Sequence, residues 1–324
     1  MSDSQYTFAV AYIRAKEAGL FSAATIDQLM ACGSYDACIQ FLQEKGWGYA
    51  DTPAQAEAIL SCEEKKTWEI FYDLVKDEDI LDVLGYSKAF HNLKAAIKES
   101  CSAKKAPKNI YIEGTKPAAE QIREIVRDHD FGRLPAMMSQ AAKDAYETLL
   151  HTGDGQLCDV IIDRACMEAI HQAGQKTKQA IIRDYAEIQV AVGNIKVAVR
   201  CAKTGKQPEF IQRALAPCGS LNVNALAQAA LGGTEAIREY LSSSGYAEAA
   251  EALAESYSAF ERWCDNSVIK AIRPQKYNAF SVGPVVAYVL ARENEIKTVR
   301  IILSGKQNGL PEESIRERIR EMYV

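Results

Sequence analysis

Apolar residues recur every three or four positions along most of the chain. Ile181, Tyr185, Ile188, Val192, Ile195 and Val199 keep that step, which puts them on one stripe of a long amphipathic helix. Val285, Tyr288, Val289, Arg292, Ile296, Val299 and Leu303 repeat the pattern further on. Gly283-Pro284 is expected to open this second helix, since proline at the first helical position gives up no hydrogen bond. Ser304-Gly305 is expected to close it, since glycine accepts the left-handed C-cap conformation. A last helix is predicted from Pro311, with Glu312 and Glu313 in its first turn and Arg316, Arg318 and Arg320 further along, matching the helix dipole. Ile315, Ile319 and Met322 would form its buried stripe. The one strand-like run, Asn109-Ile110-Tyr111-Ile112, is too short to carry a sheet. The predicted class is all-α.

Within this helical pattern a short block occurs three times. Leu93-Lys94-Ala95-Ala96-Ile97-Lys98 returns as Ile195-Lys196-Val197-Ala198-Val199-Arg200 and again as Ile296-Lys297-Thr298-Val299-Arg300, at intervals of 102 and 101 residues. Each copy leads to a polar break, then to a proline (Pro117, Pro208, Pro311) and a new helix start. Solenoid repeats run to about 20–50 residues, so this longer period predicts three copies of a small helical domain. After Pro208 the second copy continues into a helical hairpin that ends Tyr240-Leu241, then Gly245-Tyr246. The third copy reaches Val324 just after its proline helix. The missing pattern recurs at the other end of the chain, as Phe41-Leu42 and then Gly46. The N-terminal segment is therefore expected to complete the third domain. The predicted units are residues 51–155, residues 156–255, and residues 256–324 completed by 1–50, related by a pseudo-threefold axis.

Composition removes several function classes. With 324 residues, 48% hydrophobic and 25% charged, the chain has the balance of a soluble globular protein. A net charge of −5 argues against a general nucleic-acid surface. No apolar run reaches the roughly 18 residues of a spanning helix, and Met1-Ser2-Asp3-Ser4-Gln5 lacks a signal-peptide pattern. Nine cysteines without a CxxC pair read as reduced core thiols, not as a disulfide framework. The basic stretch Lys94, Lys98, Lys104, Lys105, Lys108 reads as a solvated linker, with a membrane-proximal or acidic-partner surface as the alternative.

Candidate chemistry is sparse. Lys203-Thr204-Gly205-Lys206 and Ser304-Gly305-Lys306 suggest a phosphate loop, but both lack the glycine five positions upstream and the hydroxyl after the lysine. Both also follow a helix, so a helix C-cap is the better reading and no nucleotide binding is expected. His91, His129, His151 and His171 have no metal-ligand spacing, and no cofactor or metal is expected. In the third copy Arg292, Glu293, Glu295, Lys297 and Arg300 read as an exposed face, with Glu293 able to pair with Lys297 one turn on. The sharper alternative is a polar wall lining the centre of a threefold assembly.

The run from Ala291 through Lys306 (ARENEIKTVRIILSGK), and then Gly309 through Arg320 (GLPEESIRERIR), closely resembles the C subunit of V-type (A/V-type) ATPases, the counterpart of the d subunit in eukaryotic vacuolar ATPases. Tyr12-Ile13-Arg14-Ala15 resembles the same family's N-terminus. The likeness spans essentially the whole chain and is most diffuse over residues 60–160. It implies a funnel of three helical domains around a central cavity. It also implies a non-catalytic adaptor on the cytoplasmic face, peripheral to a membrane complex, with central-stalk subunits of the D and F type and the membrane proteolipid ring as partners. Such an adaptor would couple ATP hydrolysis or synthesis to proton or sodium transport. Glu293, Lys297, Arg316 and Arg320 are the candidate partner-binding residues. A helical-repeat scaffold for cytosolic partners is the alternative.

Overall fold

A computed structural model describes residues 6–102 and 110–324, apart from the side chain of Asp79. Lys104, Lys105, Lys108, Asn109 and the first five residues, on which part of the sequence reading rests, lie outside the described residues. The described chain is helical, with no strand among those residues. In order the helices are α1 Thr7–Glu17, α2 Ala23–Met30, α3 Tyr35–Glu44, α4 Ala56–Leu74, α5 Glu78–Ser100, α6 Ala119–Asp128, α7 Ala136–Thr152 and α8 Gly155–Lys176. Next come α9 Ala180–Lys203, α10 Pro208–Ala214, α11 Val223–Leu231, α12 Thr234–Ser243, α13 Ala247–Glu255, α14 Tyr257–Ile272, α15 Gly283–Gln307 and α16 Glu312–Arg316. The chain forms two compact units. One combines the N-terminal stretch up to Lys76 with Glu248–Val324, and the other is Asp77–Ala247.

The three copies of the repeated block fall on α5, α9 and α15, helices of 23, 24 and 25 residues. Leu93 and Ile97, Ile195 and Val199, and Ile296 and Val299 are all buried, so each copy of the block contributes to a core. The hairpin pattern is a helix ending used twice. Gly46 and Gly245 take φ +82° and +83°. Trp47 N–H then returns to Leu42 C=O at 3.0 Å, and Tyr246 N–H to Leu241 C=O at 3.2 Å. Both leucines are fully buried. This left-handed ending satisfies carbonyls that the helix leaves free, and it needs glycine because a Cβ opposes positive φ.

In the first unit α2 and α3 bring Ile26, Leu29, Met30, Ile39 and Leu42 against Ile296, Val299, Ile302 and Leu303 of α15. Each such side chain contributes about 1.5–3 kcal/mol on burial. In the second unit the core runs from Phe90, Leu93 and Ile97 on α5 through Ile122 and Ile125 on α6 to Met138 on α7 and Ile162 on α8.

Several expectations are corrected. Helix α15 does not stop at Gly305. It continues to Gln307, and Gly309, at φ +63°, makes the left-handed turn, with Leu310 N–H returning to Gly305 C=O at 2.9 Å. Gly305 is small for a different reason: a Cβ there would lie 2.5 Å from Ile315 of α16. The last helix is shorter than its capping signals suggested, because tertiary bonds capture the chain beyond it. Asn266 Oδ1 accepts from Glu321 N–H at 2.9 Å, and Asn294 Nδ2 donates to Glu321 C=O at 2.9 Å. The Ile110–Ile112 run forms no strand, in keeping with its shortness, and is held by the buried Asn92, whose amide donates to Ile112 C=O and accepts from its N–H, both at 2.8 Å. Lys94 and Lys98 belong to α5 instead of a linker, and they pair with Asp163 and Asp159 of α8.

Candidate functional site

The densest polar constellation in the first unit is on α15, and it is not an exposed face. Eighteen of its 25 residues are buried, Arg292, Asn294 and Glu295 among them. The α15 stripe predicted from periodicity includes Arg292, and the structure keeps that position inward. Arg292 is paired with Glu63 of α4 and with Glu295 one turn further along its own helix. Its guanidinium also lies over the Trp47 ring, 4.5 Å from the centroid, a cation–π contact that gains strength out of water. The remaining carboxylate oxygens are occupied. Glu295 Oε2 accepts from Phe21 N–H at 2.7 Å, and Glu63 Oε1 accepts from Gly48 N–H at 2.8 Å and from Lys66 Nζ at 2.7 Å. The network therefore ties the α1–α2 and α3–α4 connections to α15. Burial pushes the Glu295 carboxyl up to about 7, partly offset by Arg292 and by the Phe21 N–H.

The four candidate partner-binding residues separate by burial. Glu293 is half-buried and accepts from Trp68 Nε1 at 3.0 Å. Lys297 is exposed and reaches Asp265 of α14 at 2.6 Å. Arg320 is 7% exposed and holds the same Asp265 at 2.7 Å. Arg316 is exposed and pairs with Asp27 of α2 at 2.7 Å and Glu312 at 2.9 Å. Asp265 thus brings Lys297 and Arg320 together, while Arg316 stands with α2. The side-chain bond of Asn294 to Glu321 has a parallel in the second unit, where buried Asn194 exchanges both amide bonds with Ala216 at 2.9 Å. Asn92, Asn194 and Asn294 lie beside the three repeated blocks at nearly equal intervals. That spacing was the available signal for them.

The Gly-Lys pairs sit at helix C-terminal ends. Gly205 is the left-handed cap of α9, and Lys206 reaches Gln156 at 2.5 Å and lies over Phe210. Lys306 donates to the carbonyls of Met30 and Cys32 at 2.7 and 2.8 Å. Among the described residues no group of three or more His, Cys, Asp or Glu could hold a metal ion, and no helix is long and apolar enough to cross a membrane. A cleft of about 580 Å³ in the second unit lies between α5, α7 and α8 and is lined by residues that include Asp82, Tyr86, Met137, Ala165, Glu168 and Ala169. It gathers no recognisable catalytic constellation.

These observations define a helical protein whose buried polar side chains join its own elements. Over residues 9–318 the chain matches the family described as ATP synthase (C/AC39) subunit. The C subunit of the V-type sodium ATPase of Enterococcus hirae is 21% identical, with 96% of this chain and 97% of that protein covered. The C subunit of the A-type ATP synthase of Methanocaldococcus jannaschii is 24% identical over 96% of this chain and 85% of its own length. A shorter stretch, 26% of this chain, is 35% identical to the C subunit of the A-type ATP synthase of Haloquadratum walsbyi, covering 25% of that protein. The chain belongs to the ATP synthase C/AC39 subunit family, as the resemblance at its C-terminus led one to expect.

Proposed function

We propose that this chain is the non-catalytic rotor adaptor of a V-type (A/V-type) rotary ATPase, seated on the cytoplasmic face between central-stalk subunits of the D and F type and the membrane proteolipid ring. The observation that carries the reading is the family match along nearly the whole chain. Its helical packing supports the reading, because a torque coupler that bends stores work instead of passing it on. In this proposal residues 51–155, 156–255, and 256–324 with 1–50 are three related domains around a central cavity, and the adaptor couples ATP hydrolysis or synthesis to proton or sodium movement. Lys297 and Arg316 are the exposed members of the candidate set and make the direct stalk contact, while Glu293 and Arg320 position the surface through Trp68 and Asp265. Exposed charges steer and register a partner without requiring a broad apolar patch on the free adaptor.

The test has two arms. In membranes depleted of this chain, ATP hydrolysis by the soluble head persists while ion pumping is lost; pumping that survives its complete removal overturns the role. In vitro, Lys297→Glu with Arg316→Glu weakens binding of purified stalk while circular dichroism is unchanged. Unchanged affinity overturns the residue assignment and leaves the role to the first arm.

A further inference from the structure

At the C-terminal end of α2, side chains from three places converge on a short run of backbone carbonyls. Cys32 Sγ donates to Gln28 C=O and Cys38 Sγ to Leu29 C=O, each at 3.6 Å. Lys306 Nζ, from α15, holds the next carbonyl, of Met30, and that of Cys32 itself. Because Gln28 and Leu29 are consecutive, the two thiols serve neighbouring acceptors at one helix end, with Cys32 close enough to Cys38 to push its thiol up. Cys32 is half-buried and reachable, whereas Cys38 is fully buried. Gly33, in the connection between them, has open space where a side chain would stand, so this short loop has room to adjust.

From this geometry we propose that Cys32 and Cys38 form a redox-active dithiol, a modification site for small disulfides of the glutathione class, whose oxidation cross-links the α2–α3 connection to α3 beside Lys306.

The chemistry balances as two thiol–disulfide exchanges. The Cys32 thiolate attacks one sulfur of oxidised glutathione. An S–S bond forms at Cys32, the bond within glutathione breaks, and one glutathione thiolate leaves to take up a proton. The Cys38 thiolate then attacks Cys32 Sγ, a protein disulfide forms, and the second glutathione leaves. The protein dithiol is oxidised by two electrons and one glutathione disulfide is reduced to two thiols. Lys306 favours the Cys38 thiolate electrostatically, since a neighbouring cation favours the charged form. Burial and the neighbouring Cys32 push the Cys38 thiol up to about 11, only partly countered by Lys306. The second exchange is therefore the slower one, and it speeds up as pH rises.

The experiment uses the full chain and oxidised glutathione, with thiols counted by DTNB in denaturant and linkages mapped by peptide mass spectrometry. Two of the nine thiols disappear, and the new linkage maps to Cys32–Cys38. A single glutathione adduct at Cys32 precedes it and resolves faster at higher pH. Cys38→Ser stops at that adduct, Cys32→Ser gives neither adduct nor cross-link, and Lys306→Met slows the second exchange several-fold. The wild-type readout needs no variant, so misfolding of a mutant cannot obscure it. Nine thiols that still titrate after equilibration, or a linkage between other cysteines such as Cys101 and Cys158, overturn the proposal.

Discussion

The two compact units bury different things. In the second, the described buried polar side chains are neutral: Asn92, Thr177 and Asn194. In the first, the ionisable side chains of Glu63, Arg292, Glu295 and Arg320 are buried. Both units reach a helical core of ordinary aliphatic side chains, so the charges are not needed to make a core. What differs is the origin of the pieces. The second unit is one continuous stretch, whereas the first joins segments from opposite ends of the sequence. A greasy face alone recognises any other greasy face. A buried ion pair accepts one partner in one register, because any other placement leaves a charge without compensation. The Glu63–Arg292–Glu295 network sits where the N-terminal connections meet α15, which is where such discrimination is useful.

The strongest way to break this comparison is Arg292→Ala. It leaves two buried carboxylates facing each other and is expected to cost about 3–5 kcal/mol of stability, measured by urea unfolding at pH 8. Replacing Glu63, Arg292 and Glu295 together by apolar residues of similar volume is expected to be far milder. If the single and triple changes cost the same, the network acts through packing alone and the contrast between the units fails.

The next effect is in pH. Glu295 holds its proton up to about 7 in the folded chain, against an ordinary carboxylate value of about 4.3 when unfolded. The folded state therefore binds the extra proton between these values. The contribution is full below the lower value and is lost as pH rises through the upper, amounting to at most about 4 kcal/mol. Glu295→Gln removes that downward slope between about pH 4.5 and 7. An unchanged slope in a pH series of unfolding midpoints would contradict the assignment.

A smaller loss is expected from Asn194→Ala in the second unit. It leaves the buried N–H and C=O of Ala216 without their side-chain partner, at about 1–3 kcal/mol. Hydrogen exchange at Ala216 should accelerate, and no pH dependence should accompany the loss. The smallest effect belongs to Arg316→Glu: its exposed pairs with Asp27 and Glu312 are worth less than about 1 kcal/mol, so the midpoint of thermal unfolding should move little. A large shift there would mean that the surface of the first unit is as demanding as its interior.

How much of this was legible in the sequence depended on whether the determining partner was local. The α15 stripe was readable because a period of three to four is a local property, and it included Arg292. The inward position was thus visible, but the charge argued for solvent, and the carboxylate that reverses that argument, Glu63, is 229 residues away. Gly305 failed for a similar reason. A Ser-Gly-Lys run is a sound local stop signal, and only contact with Ile315 shows that the missing Cβ serves close packing. The hairpin ending at Gly46 and Gly245 succeeded because its requirement, positive φ after a buried leucine, is written into adjacent residues. Asn92, Asn194 and Asn294 were visible as letters, but an asparagine carries no local mark of being buried. The candidate site residues were the least readable: of the four, only Lys297 and Arg316 keep exposed charges, and nothing near them in sequence separates them from Glu293 and Arg320.

The join between the chain's two ends also sets a timetable for synthesis. The apolar faces of α2 and α3 leave the ribosome early, but their cover on α15 is complete only at Gln307, 231 residues after Lys76. At about 5–20 residues per second, the gap lasts roughly 10–50 s. Throughout it Ile26, Leu29, Ile39 and Leu42 lack the helix that later buries them, while the uninterrupted stretch Asp77–Ala247 has everything it needs to fold. The nascent chain is thus expected to carry a finished second unit and an open, chaperone-accessible first one.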